Sequence, residues 1–179
     1  QQFLPSSRSV AYLKSAWEAV GGYPEWLDFG EDLVFDFALR EKYGPFPLAD
    51  TAVAYFRPRG SLRAYFRQYY TYARGDGKAN LWPRRHLIRY ATYLLGLPFI
   101  LNLIWRERRV GWLLLAGGTG AYCRRPAQRL WNNTWGWRPP TRIRAFAMIP
   151  IIRLVGDVAK MLGYPAGLAW RMRNRGEIS

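Results

Sequence analysis

FGEDLVFDFALREKYG, residues 29–44, places two carboxylates, Glu31 and Asp32, directly after a glycine and ahead of an apolar run of Leu33, Phe35, Phe37, Ala38 and Leu39. The run has helical spacing and predicts a helix over 31–43. The acidic pair then falls in the first turn, where unpaired N–H groups and the helix dipole favour negative charge. Such a placement serves two ends. It caps a helix, and it presents a carboxylate that can work as a general base. The chain as a whole runs the other way, with 27 Lys and Arg against 12 Asp and Glu, a formal charge of +15.

That balance calls for an anionic partner: nucleic acid, a phosphorylated substrate or an acidic membrane. Half of the 179 residues are hydrophobic and 17% are aromatic, which excludes a disordered chain. A single cysteine, Cys123, excludes an internal disulfide and a thiolate metal cluster. The opening, QQFLPSSRSVAYL, has no initiator Met and no basic-then-apolar signal pattern, so the chain is expected to begin inside something larger.

Residues 1–83 read as soluble α/β material. SRSVAYLKSAWEAVGG predicts a helix capped by Ser7 or Ser9 and ended by Gly21 and Gly22. Thr51–Phe56 predicts a short strand, broken by Pro58 and Gly60. SLRAYFRQYYTYARG predicts a helix capped by Ser61 and closed by Gly75. Residues 84–125 are different. HLIRYATYLLGLPFILNLIW, residues 86–105, carries no charge beyond Arg89. At about 1.5 Å per residue it nearly spans a bilayer core of about 30 Å. VGWLLLAGGTGAYC, residues 110–123, is short for a span. Arginines stand before, between and after these two segments, at 84–85, 106–109 and 124–125. A two-span hairpin would put one cluster on the wrong side of the membrane. The expectation is a hairpin that dips into one leaflet; the alternative is a buried core hairpin.

Residues 124–142 read as loop. The remainder of a basic tail over 126–179 reads as a broken amphipathic helix. Arg142, Arg144, Arg153, Lys160, Arg171, Arg173 and Arg175 alternate there with Phe146, Ile149, Leu154, Val158, Met161, Leu162 and Trp170. Such a face lies flat on anionic lipid, or else packs on the protein.

The string SVAYLKSAWEAVGGYPEWLDFGEDLVFDFALREKYG resembles the acceptor half of the family 2 glycosyltransferases. Gly21, Gly22, Tyr23, Pro24 and Glu25 fill that family's turn, Gly30, Glu31 and Asp32 its GED, and Leu39, Arg40 and Gly44 its LR…G. RPRGSLRAYFRQYYTYARGDGKANL resembles the segment that follows, so the likeness covers roughly residues 5–83. It implies the α/β GT-A nucleotide-diphospho-sugar transferase fold, here its C-terminal part, followed by apolar membrane-associated helices. It implies inverting transfer from a nucleotide-sugar to a sugar or lipid-linked acceptor, in cell-surface polysaccharide or glycolipid synthesis. The setting implied is the cytoplasm-facing surface of the cell inner membrane.

By the same likeness Asp32 is the catalytic base. Glu31, Trp26, Arg67, Gln68, Tyr72 and Arg74 are the substrate-binding residues, with Arg67 or Arg74 meeting the diphosphate. Trp26 stacks on an acceptor sugar or serves as a packing anchor. Processive members carry Gln-x-x-Arg-Trp; Gln68 is present here, but Thr71 and Tyr72 replace Arg and Trp, which argues against a cellulose- or chitin-type enzyme. A divalent metal, Mg or Mn, is implied on the donor diphosphate. No Asp-x-Asp occurs in the chain, so the metal ligands and the βαβ unit that holds the base are expected upstream of Gln1. The fragment alone is expected to be inactive. Tyr55 and Phe56 stand where many relatives carry a metal-binding His, so the metal set is unknown. His86, the sole histidine, reads as an interfacial residue, not a ligand.

Two other readings remain. One is a non-catalytic membrane anchor or scaffold. The other is a basic nucleic-acid-binding protein, through phosphate contacts and base stacking. No RNA- or DNA-binding motif is present, and most of the basic charge flanks apolar helices, so nucleic acid is not the expected partner.

Overall fold

The computed structural model describes residues 4–6, 9–174 and 176, and every regular element extending over more than one of them is helical. In chain order these are α1 (Lys14–Ala19), α2 (Glu31–Tyr43), α3 (Leu62–Ala79), α4 (Pro83–Ala91), a π-helical segment (Thr92–Gly96), α5 (Leu97–Arg106), α6 (Arg108–Asn132) and α7 (Pro139–Arg173). The expected α/β architecture is overturned, because the described residues hold no strand and no sheet. Thr51–Phe56 is irregular and exposed throughout. A strand persists only where a neighbour takes up its N–H and C=O groups, and none of the described residues offers one. Propensity at Val53, Tyr55 and Phe56 therefore has nothing to act on.

The described residues fall into two compact units, 1–82 with 162–179, and 83–161. In the first, Phe35 and Leu39 of α2 are buried with Leu27. Tyr23 and Tyr12 pack on Phe35 with ring centroids 4.4 and 4.9 Å away. α1 is only six residues long. Ser9 does not cap it, its hydroxyl pairing instead with that of Ser6 at 3.0 Å; Ser7 lies outside the described residues. α2 covers the expected range.

α3 starts as expected, with the Ser61 hydroxyl accepting from the Ala64 N–H at 3.2 Å. It then runs through Gly75 to Ala79. The stop is Asn80, left-handed at φ 54°. The Leu81 N–H reaches the Asp76 carbonyl (2.7 Å) and the Asn80 N–H the Gly77 carbonyl (3.3 Å). These two bonds make a Schellman end. Gly75 and Gly77 are packing residues. A Cβ on Gly75 would strike the Phe29 carbonyl, and one on Gly77 the backbone at Tyr164 and Leu168. From the other side, Gly163 and Gly167 abut the carbonyls of Tyr70 and Arg74. The C-terminal part of α7 thus lies backbone against backbone on α3, a small-residue contact of the kind that lets helices approach most closely.

In the second unit α5 and α6 form a hairpin whose tight crossing is Gly111 against the Ile104 backbone. The π-helical turn precedes Pro98, which has no N–H to offer the Leu94 carbonyl. Pro83–Arg106 is long and apolar enough to cross a membrane, and none of its most apolar window is buried. Residues 124–142 are mostly helical where loop was expected: α6 continues through Arg124, Arg125 and Pro126, and only 133–138 connect it to α7. α7 is likewise unbroken, running through Pro150 and Pro165. One polar node ties this unit together. Asp157 accepts from Arg89 Nε (2.8 Å) and from the hydroxyls of Tyr93 (3.1 Å) and Tyr122. His86 is buried, and its Nδ1 takes a hydrogen bond from Arg89 at 3.1 Å.

Candidate functional site

Gly30 is the residue before α2, with φ +84°, a left-handed conformation that suits glycine and strains other side chains. It turns the chain so that Glu31 and Asp32 open the helix. Asp32 Oδ1 accepts the Leu33 N–H at 2.9 Å. Glu31 Oε2 is shut off from water without a hydrogen-bond partner. The pair is therefore not the helix cap; Gly30 holds that place and the carboxylates lie within the first turn.

A third carboxylate lies one turn further on. Asp36 is 1% exposed, and its Oδ2 has no hydrogen-bond partner. Burial, and then the charge of Asp32, push its pKa up to about 6. Nearby, burial and the hydrogen bond with Tyr12 (3.1 Å) raise the Tyr23 hydroxyl well above its ordinary value. Sequence reasoning passed over Asp36. The signal was its place between Phe35 and Phe37 on the stripe that continues to Leu39, a polar residue set among core positions.

The loop entering α2 is fastened to α3. Asp28 accepts hydrogen bonds from both Arg74 and Lys78. Burial raises the Asp28 carboxyl, but the Lys78 hydrogen bond and the two positive charges outweigh it and hold the group below its usual range. The Lys78 ammonium also sits 4.2 Å from the centre of the Trp170 ring, a cation–π contact. Trp26 stacks on Trp170 at 6.1 Å and 12°. Phe29 meets Tyr72 at 6.3 Å, and Gln68 Nε2 donates to the Tyr72 hydroxyl at 2.7 Å.

The fold thus gathers Trp26, Gln68, Tyr72 and Arg74 about the loop that leads to Glu31 and Asp32. Arg67 is exposed on α3. Arg74 is already paired with Asp28, and Trp26 is occupied by another indole. Asp28, Lys78 and Trp170 were missed, and no local signal pointed to them: 142 positions separate Asp28 from Trp170. Among the described residues no group of three or more His, Cys, Asp or Glu side chains could hold a metal ion. The described residues alone therefore supply no site for the implied Mg or Mn, whose ligands were expected upstream of Gln1.

Set against family models, curated proteins and solved structures, the chain matches none of them.

Proposed function

We propose that this chain activates the acceptor in an inverting glycosyl transfer at a cytoplasm-facing membrane surface, in the making of a surface polysaccharide or glycolipid. The observation that carries the reading is Asp32 in the first turn of α2, beside a loop pinned to the helix that bears Gln68, Tyr72 and Arg74. The ordered likeness over residues 5–83 supports it at the level of residues and not of sheet topology.

The chemistry needs one base and one source of positive charge. An Asp32 oxygen takes the proton of the acceptor hydroxyl as that oxygen attacks the anomeric carbon of a nucleotide-sugar. The bond to the nucleoside diphosphate breaks on the opposite face, so the configuration inverts, and the diphosphate leaves with the electron pair. Arg67 is the better candidate to meet it, since Arg74 is held by Asp28. Charge at that point stabilises the departing group as it forms. The exposed apolar helices and the basic tail keep the site at anionic lipid, where a lipid-linked acceptor lies.

The test uses membranes from cells expressing the whole gene product. They are given sugar nucleotides one at a time, and the glycoside formed is examined by NMR. An anomeric configuration opposite to that of the donor is expected. Retention, or no turnover of any sugar nucleotide, overturns the reading.

A further inference from the structure

From Arg108 to Gly156 the chain has nine arginines and no Asp, Glu or Lys. At the centre of that stretch lies the turn between α6 and α7, and its side chains are arranged the wrong way round for water. Thr134 is 1% exposed, its hydroxyl donating to the Leu130 carbonyl at 2.7 Å. Trp135 is 72% exposed and Trp137 48%. The small polar residue is inside and the two indoles are outside. The turn is built to hold them so. The Asn133 amide donates to the Arg129 carbonyl at 2.7 Å, and the Trp137 N–H reaches the Thr134 carbonyl at 3.1 Å. Trp131 meets Trp135 at 6.0 Å and Phe146 at 6.3 Å. The Arg142 guanidinium lies 3.9 Å from the centre of the Trp131 ring and 5.8 Å from that of Trp135. Its Nε and Nη2 are out of reach of water and have no acceptor. Arg138 and Arg144, on either side, are exposed.

We infer that this corner is a docking surface for anionic phospholipid. Trp131, Trp135 and Trp137 enter the headgroup layer, where an indole finds both an apolar and a hydrogen-bonding environment. Arg138 and Arg144 face the phosphates, and Arg142 fixes two of the indoles from behind. Charge complementarity selects the occupant: a surface of cations with no acid among its residues needs a dense anionic layer, and exposed indoles need that layer to have an apolar side. The inference rests on the membrane part of the function proposed above and narrows it to one corner of the second unit.

The full chain is tested by co-flotation with phosphatidylcholine vesicles, with and without phosphatidylglycerol. The wild type is expected to bind the anionic vesicles more tightly, and less so in high salt. Arg138→Gln with Arg144→Gln should cut that affinity by about 25-fold, near fivefold for each arginine. Trp135→Ala with Trp137→Ala should weaken binding to both vesicle types. The same charge change elsewhere, Arg57→Gln with Arg59→Gln in an exposed irregular stretch, should leave affinity within about twofold.

Equal binding by wild type and corner variants overturns the inference and leaves membrane association standing. A wild type that floats equally with and without phosphatidylglycerol also overturns the inference, and one that floats with neither vesicle type overturns membrane association as well. Displacement from vesicles by a thymidine oligonucleotide, with oligonucleotide binding lost in the arginine variant, makes the corner a nucleic-acid surface instead. Corner-dependent binding in a protein that transfers no sugar leaves this inference in place and removes the catalytic reading alone.

Discussion

Ionisation of Asp36 in α2 opposes the fold, because the residue is buried and its Oδ2 has no hydrogen-bond partner. Its pKa is raised from an ordinary 3.8 to about 6, which corresponds to about 3 kcal/mol against the ionised folded state. The folded state binds this proton more tightly than the unfolded chain does. The first unit should therefore gain stability as pH falls from about 6 to about 4 and lose it again as pH rises. Asp28 has the opposite sign. Its carboxyl is held below the usual range, so the stability it contributes is lost only at more acidic pH. Thermal unfolding at a series of pH values checks this. Asp36→Asn should flatten the dependence between pH 4 and 6 and stabilise the protein at neutral pH by about 2–3 kcal/mol. At this scale the sequence was informative about Glu31 and Asp32, since a helix opening has local signals. It was silent on Asp28 and Lys78, whose meaning depends on partners brought together by folding.

The helices differ in how far their ends could be read. Ser61 caps α3 through its own hydroxyl, and removing it as Ser61→Ala should cost about 1 kcal/mol. Gly75 looked like a stop and is not one. Glycine inside a helix costs about 1 kcal/mol relative to alanine, and here close contact with the Phe29 carbonyl offsets that, as contact with α7 does at Gly77. The distinction between a glycine that ends a helix and one that seats another segment lies in partners distant in sequence: Phe29 for Gly75, Tyr164 and Leu168 for Gly77 and, from the α7 side, Arg74 for Gly167. Gly167→Val should therefore destabilise by about 3 kcal/mol or more, because the new side chain meets backbone that cannot turn aside. Gly117→Ala in α6 meets nothing and should be neutral or stabilising by up to about 1 kcal/mol. Far-UV circular dichroism through a thermal scan separates the two. The same reasoning explains the missing strand. Thr51–Phe56 had the composition, but pairing is a property of two segments, and the described residues supply only one.

At the scale of the molecule, large apolar side chains lie exposed along the second unit, where Trp105 is 90% exposed and Leu95, Phe99 and Leu113 are also bare. Charge is divided unevenly as well. The second unit has 14 Lys and Arg against two acids, the first 13 against 10. Both features were legible in the sequence, because hydropathy and charge are sums that need no tertiary partner. The proposed lipid contact would account for both at once. Membranes washed in high salt should retain the protein, and detergent should release it, since an apolar contact survives the screening that removes a purely electrostatic one. Release by salt alone would contradict the proposed insertion of the hairpin.

The central claim, that Asp32 serves as a base, is tested most directly by Asp32→Asn, read for both thermal midpoint and sugar transfer. Asparagine keeps an oxygen for the Leu33 N–H and loses the negative charge together with the ability to take a proton. The midpoint is expected to shift by no more than the loss of one first-turn charge, about 1 kcal/mol or less, and transfer to fall by about 100-fold or more. A midpoint within that limit with undiminished transfer would contradict the claim and leave Asp32 as a structural residue of α2.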